Sequence, residues 1–223
     1  MTTRAEPGTE PRTPLSRERV LRAAIRMADE NGFEALTMRK LAAGLGVQAM
    51  SLYNHVASKD DIRDGIVDLV MQEIALPAPG ADWKTALRRS AMSAHDVLVS
   101  HPWACSLMMS TSSVSTARLD WMEGVLRTLR EAGFSANLTH HAYHALDSHI
   151  TGFTLWQVGL FQDTEELTTM AEGFLRSLVV DEYPYLAEHI REHLEESSPD
   201  EKTEFEFGLD LILDGIERIR DAG

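Results

Sequence analysis

Thr37 to Lys59 of this chain runs TMRKLAAGLGVQAMSLYNHVASK, and its residues spell two short helices around a glycine corner. Thr37 is a side-chain acceptor suited to cap a helix, and Leu41, Ala42 and Leu45 supply that helix with an apolar face. Gly44 and Gly46 then break it. Gly46 can take the positive φ of a tight corner, Val47 can turn into the core, and Gln48 can open a second helix with Leu52 and Val56 buried. Ala49, Met50, Ser51, Tyr53, Asn54 and His55 are left pointing elsewhere. This outward set is small, apolar or hydrogen-bonding, where a solvated face would carry more charge, and it suits a helix pressed into the major groove of DNA. Two core helices with a glycine turn would give the same local pattern, so the flanking sequence has to decide.

Upstream, Ser16 can cap a helix whose apolar stripe is Val20, Ala23, Ala24, Met27 and Ala28, with Asn31-Gly32 as its end. Downstream, Ser58 and Asp61 make a capping-box-like start for an amphipathic helix carrying Ile62, Ile66, Leu69, Val70 and Ile74. The expected unit is a three-helix head fused to a fourth helix.

Across Leu15 to Leu76 the chain resembles the TetR family of bacterial transcriptional regulators. The resemblance is carried by FEALTMRKLAAGLGVQAMSLYNHVASKDDI, which combines an LT-x-RKLA-x-x-LGV helix and turn with LY-x-HV-x-x-K, and LYNHV is similar to the tetracycline-repressor branch. It implies that Arg39, Ala49, Met50, Ser51, Tyr53, His55 and Lys59 face DNA, and Gln48 and Asn54 lie in the same segment. Their chemistry suits that role. Arg39 can pair with guanine or bind a phosphate, whereas Tyr53 and His55 offer single donors to backbone oxygens. Lys59, in the first turn of the fourth helix, would meet a phosphate together with exposed backbone N–H groups. Ala49 and Met50 can touch a thymine methyl and replace more polar residues of some relatives, so the operator sequence is not transferable. Tyr53 also suits a partly buried position, and Lys40 a solvated one.

The whole chain carries 21 basic and 35 acidic residues, a net charge of −14. The distribution is uneven: residues 1–59 hold 9 Lys+Arg and 6 Asp+Glu, for +3, which leaves 12 and 29, for −17, in residues 60–223. A positive head on an acidic body would orient the molecule on DNA. Met1 to Pro14, with Pro7, Gly8, Pro11 and Pro14 among polar residues, reads as a flexible arm that places Arg4 and Arg12 within reach of a minor groove. No signal-peptide core and no apolar run of about 20 residues is present, which points to a cytoplasmic protein with no membrane partner, and the resemblance implies a bacterial, nucleoid-associated one. The single cysteine, Cys105, cannot form an internal disulfide and reads as a packing residue.

The remainder reads as helices, giving an all-α chain. Asp82 can cap a helix through Ser100 with Leu87, Ala91, Ala94 and Leu98 inward, after a Pro77-Ala78-Pro79-Gly80 linker and before a His101-Pro102 stop. Leu119, Met122, Leu126 and Leu129 mark a helix ending at Gly133. Leu138, Ala142, Leu146, Phe153, Trp156 and Leu160 mark a longer one, and Leu167, Met170, Phe174 and Leu178 another stripe. Pro184 and Pro199 open two more, the last carrying Phe205, Leu209, Ile212, Leu213, Ile216 and Ile219. The expected organisation is an arm over 1–14, a DNA-binding head over 15–60, a connecting helix over 61–76 and a helical ligand-binding and dimerisation domain over 77–223.

TEFEFGLDLILDGIERI also resembles the last helix of tetracycline-repressor-like proteins. The resemblance implies a homodimer in which this helix and the one ending near Trp156 form a four-helix bundle with their copies, with Phe153, Leu209, Ile212, Leu213 and Ile216 at the interface. Dimerisation also follows from groove geometry, since two heads roughly 34–36 Å apart on a palindromic operator multiply affinity. Trp103, Met108, Met109, Trp121, His149, Phe153, Trp156 and Gln157 combine apolar bulk with polar tips and suit a pocket for a small-molecule effector, and they equally suit a core. His140, His144 and Asp147 fall at metal-ligand spacing on one helical face, with a polar surface stripe as the alternative and no identifiable fourth ligand. Tetracycline-binding members use magnesium with the drug, but the histidine needed for that is Gly152 here. No cofactor motif, nucleophile elbow, phosphate loop or H-E-x-x-H pair is present to favour an enzyme. The expected function is a DNA-binding regulator, a repressor released from a palindromic operator by a small-molecule effector, with a metal-responsive regulator using the His140, His144 and Asp147 stripe, or a small-molecule-transforming enzyme, as the alternatives.

Overall fold

The computed structural model describes residues 14–110, 114–160, 164–179, 182–195 and 203–222. Residues 1–13 of the arm expected over 1–14, Pro199 and the side chains of Leu160, Leu167 and Met170 lie outside the described residues. The chain is all-α, with no strand among the described residues. It divides into two compact units, Met1–Ile66 and Val67–Gly223.

In the first unit, α1 (Arg17–Asn31) starts where the Ser16 hydroxyl accepts the Arg19 N–H at 3.2 Å and ends at Gly32, φ 76°. Its buried face is Val20, Leu21, Ala24, Ile25 and Ala28. Val20, Ala24 and Ala28 are buried as expected, while Leu21 and Ile25 take the places expected of Ala23 and Met27, because they bury more apolar area than those could. A 3₁₀ turn, Phe33–Ala35, leads to α2 (Met38–Leu45), which Thr37 caps through the Lys40 N–H at 3.2 Å. Gly44 does not break α2, as expected of it, but lies inside the helix. Gly46 alone makes the corner. It is left-handed at φ 68°, ψ 32°, and its N–H and that of Val47 close onto Ala43 and Ala42 carbonyls at 3.1 and 3.0 Å. The second helix is shorter than expected: α3 covers only Ala49–Leu52, after which Val56 N–H still reaches the Leu52 carbonyl at 3.0 Å. Leu52 and Val56 are fully buried, which fixes the face that α3 turns inward.

α4 (Lys59–Gln72) begins with Ser58 Oγ accepting the Asp61 N–H at 3.1 Å. The division between the units falls within this helix. In the second unit, α5 (Trp83–Ser100) is capped by Asp82 through the Thr85 N–H at 3.0 Å and buries Leu87, Ala91, Ala94 and Leu98. α6 (Pro102–Ser110) was not expected, since His101-Pro102 reads as a stop; Pro102 instead occupies the first helical position, where its missing N–H costs nothing. α7 (Thr116–Glu131) buries Ala117, Trp121, Val125 and Leu129 and exposes Leu119, so the large Trp121 has set its phase. α8 (Ala136–Leu160), α9 (Thr164–Ser177) and α10 (Pro184–Glu195) follow. α11 (Glu204–Ala222) opens with a reciprocal box: Thr203 Oγ1 accepts the Glu206 N–H at 3.2 Å and the Glu206 carboxylate accepts the Thr203 N–H at 3.3 Å.

α11 packs on α5 and α8. Phe205, Leu209, Leu213 and Ile216 are buried there, each worth about 1.5–3 kcal/mol of transfer from water. Beside them Lys84 reaches Asp214 at 2.6 Å and Glu217 at 2.5 Å, while Arg88 reaches Glu206 and Asp210 at 2.8 Å each. Partly exposed pairs of this kind contribute about 0.2–1 kcal/mol each. Apolar burial therefore holds α11 in place, and the four ion pairs select its register.

Candidate nucleic-acid interface

Nine head residues expected to meet DNA are accessible to solvent. Arg39, Gln48, Met50, Tyr53 and Asn54 are exposed, and Ala49, Ser51, His55 and Lys59 are half-buried. Leu52 and Val56 occupy the inward side of the α3 segment. Met50 and Tyr53, at i and i+3, share the outward side with Asn54. Tyr53 is 48% exposed, so it is not a core aromatic. The Lys59 ammonium rests 4.7 Å from the centroid of the Phe33 ring, which steadies its stem beside the start of α4. Lys40 is not simply solvated: its ammonium donates to the Ala35 carbonyl at 3.0 Å and closes the 3₁₀ turn.

A lock that the sequence did not disclose joins the burial of Leu52 and Val56 in holding the α3 segment. Arg17 of α1 donates twice to Asp61 of α4, Nη1 to Oδ2 at 2.8 Å and Nη2 to Oδ1 at 2.6 Å, and Nη1 also lies 3.3 Å from the His55 carbonyl. Asp61 Oδ2 accepts the Ala57 N–H at 2.8 Å. One carboxylate thereby ties α1, the segment after α3 and the start of α4. The hydrogen bonds from Arg17 and then from Ala57 hold the Asp61 carboxyl below the usual carboxylate range, against the opposing effect of burial, and Asp61 raises Arg17 in return. Arg17 and Asp61 are 44 residues apart, too far for a local pattern to pair them.

In the second unit the expected pocket residues separate into two groups. His149, Phe153 and Trp156 join an aromatic cluster with His95 and Phe205, two residues not expected in the pocket. The Phe205 ring is sandwiched between His95 (3.9 Å, 9°) and His149 (4.8 Å, 12°), with Phe153 at 5.6 Å and Trp156 a further 5.5 Å from Phe153. His149 Nε2 donates to the Phe205 carbonyl at 2.9 Å, and a side chain at Gly208 would collide with the His149 ring. His95 Nδ1 lies 2.9 Å from Thr154 Oγ1, and burial lowers its pKa. His95 is four residues after the inward Ala91, the signal that could have found it. Gln157 is half-buried.

The second group is Trp103, Met108 and Trp121, all buried. Trp121 Nε1 donates to Ser90 Oγ at 3.0 Å, and Ser90 donates to the Ala75 carbonyl at 2.7 Å, so this indole is fully satisfied in the core. Met109 is corrected: it is 70% exposed and lines no interior. Near α6 to α8, burial raises Cys105 to about 11 and raises Tyr143 and Asp147 as well. The Cys105 thiol is therefore neutral and inert at neutral pH. The rings of His140 and His144 lie 4.5 Å apart and exposed, but no group of three His, Cys, Asp or Glu side chains among the described residues is placed to hold a metal ion.

Three expected interface residues are also corrected. Leu209, Leu213 and Ile216 are buried within the chain itself, because the inward face of α11 is taken by α5 and α8. Ile212 and Phe153 are half-buried. The apolar side chains that α8 and α11 leave exposed are instead Trp156, Phe207, Leu211 and Ile219. No helix among the described residues is long and apolar enough to cross a membrane.

Residues 20–66 match the family model described as bacterial regulatory proteins, tetR family, and residues 76–220 match the tetracyclin repressor-like C-terminal domain. The chain is 31% identical to the HTH-type transcriptional repressor DrrR1 of Streptomyces coeruleorubidus over 95% of this chain and 80% of that protein. It is 29% identical to the class C tetracycline repressor of Escherichia coli over 92% of each. Among solved structures, ActR of Streptomyces coelicolor in complex with (S)-DNPA superposes with a TM-score of 0.71 at 25% identity, covering 93% of this chain and all of that one.

Proposed function

Because the chain belongs to the TetR family of bacterial regulatory proteins, we propose that it is a homodimeric repressor that grips a palindromic operator and is released by a small-molecule effector. The observation that carries this is the outward side of the α3 segment: Met50, Tyr53 and Asn54 stand in solvent without a charge among them, over a fully buried Leu52 and Val56. In the groove, Arg39 meets a guanine or a phosphate, Tyr53, His55 and Lys59 hold the backbone, and Gln48, Ala49, Met50, Ser51 and Asn54 face the base edges.

A second copy covers the exposed apolar side chains of α8 and α11. Gly152, Leu155, Trp156 and Gly159 form one stripe on α8, and Phe207, Leu211, Gly215 and Ile219 form the other on α11. Side chains at Gly152, Gly159 and Gly215 would meet nothing in this chain, so these small residues leave room for a close neighbour. The effector binds among the middle helices of the body, near the His95, His149 and Phe153 cluster or near Trp103, Met108 and Trp121. ActR, at 25% identity, was solved with a small molecule bound. Occupancy shifts the central helices, α4 swings, and the spacing of the two heads departs from one turn of DNA. Such a relay requires that the effector bind the two head spacings with different affinity. In the cell the protein acts on DNA in the cytoplasm.

Fluorescence anisotropy on an operator duplex, with sedimentation for stoichiometry, tests the proposal. Two chains per duplex and a fall in affinity at saturating effector are expected. One chain per duplex, or an effector that binds and leaves operator affinity unchanged, would refute dimer and relay respectively.

A further inference from the structure

We infer that Met50 reads a thymine methyl group in each half of the operator. This rests on the head entering the major groove as proposed above, and it specifies the base pair met by α3. Met50 is 73% exposed, and Tyr53 is the other large hydrophobic side chain exposed in the described part of the first unit. Leu52 and Val56 fix the inward side of this segment, so Met50 cannot turn into the core. From Val47 to Ser58 there is no Arg, Lys, Asp or Glu. The segment therefore has no guanidinium fork for guanine and no carboxylate for the cytosine amine. Thymine is the one base that presents a methyl group in the major groove. A long apolar side chain held in solvent is matched by that methyl and by no other base edge. The flexible thioether can settle against it, whereas Ala49 is shorter and half-buried. Gln48 and Asn54, both exposed, carry amides that pair with adenine, so the surroundings of Met50 favour A·T pairs as well. Guanine recognition is left to Arg39 on α2.

The test begins by selecting a binding duplex from a random pool with the full-length protein. Each thymine of the half-site is then replaced, in symmetric pairs, by deoxyuridine, which removes the methyl and nothing else. The wild type should lose about fourfold in affinity per methyl, hence about fifteenfold for one symmetric pair. Met50→Ala should bind the thymine duplex more weakly by a similar factor and fail to distinguish thymine from uracil at that pair, while Met50→Leu should keep the distinction. A selected operator with no uracil-sensitive thymine would overturn the inference, as would a Met50→Ala protein with undiminished sensitivity. Failure to enrich any sequence would instead remove the DNA-binding proposal, and this inference with it.

Discussion

Asp61→Ala should loosen the recognition segment without touching a DNA-facing side chain. The carboxylate accepts three hydrogen bonds, two from Arg17 and one from the Ala57 N–H. The Arg17 side chain is 47% exposed and that of Asp61 28%, so solvent screens the ion pair and about 0.2–1 kcal/mol is the fitting magnitude. The carboxylate on a backbone N–H acts as a cap does and adds about 1 kcal/mol. The sum, about 1–2 kcal/mol, corresponds to a factor of about 5–30 in the local opening equilibrium. Hydrogen exchange read on a peptide spanning residues 47–58 should therefore quicken by that factor. Asp61→Asn keeps an acceptor for Ala57 and should show about half the effect on the energy scale. The pH dependence has a definite sign. Asp61 binds its proton less tightly folded than unfolded, so its contribution is complete above the ordinary carboxylate value and is lost as pH falls through the depressed one. The gap between wild type and Asp61→Ala should narrow in acid to about that between Asp61→Asn and Asp61→Ala, because the protonated carboxyl keeps an acceptor for the Ala57 N–H. Unchanged exchange at neutral pH, or a gap that does not narrow when the carboxyl is protonated, would refute the lock.

Lys59→Ala should weaken operator binding across all sequences and reduce the slope of log affinity against log salt by about one unit per head; a parallel salt titration would contradict a phosphate contact. Leu211→Glu places a charge on an exposed site and should leave the chain folded but monomeric by sedimentation, with operator affinity reduced; a dimer that survives would move the interface elsewhere. Asp147→Asn should raise the melting temperature at neutral pH. Burial holds the Asp147 pKa above its ordinary value, so wild-type stability falls as pH rises through that window, and the advantage of the amide should vanish below about pH 4. An advantage that is independent of pH would assign the effect to packing.

Local chemistry was legible where it is local. Ser16, Thr37, Asp82 and Gly46 act as the caps and corner that their residue types suggest, because a cap needs only the next three residues. The head followed from its motif. The phase of a helix depends on which bulky side chain the core takes: in α1 Leu21 and Ile25 widen the expected stripe to one side, and α7 turned by a position around Trp121, a single residue rotating a helix face by about 100°. The burial of Leu209, Leu213 and Ile216 shows a second limit. An apolar stripe on α11 states that something covers it, and which element does so depends on topology. The Arg17–Asp61 lock, the Lys84 and Arg88 pairs and the His95–Phe205–His149 stack join residues far apart in the chain, and no periodicity encodes them.

Sequencing the DNA that the full-length protein binds in bacterial cells tests the central claim most directly. The expected result is an enriched inverted repeat whose half-sites lie one helical turn apart, roughly 34–36 Å centre to centre, or a multiple of it. No enriched sequence, or a single unrepeated half-site, would contradict a paired head reading DNA through α3.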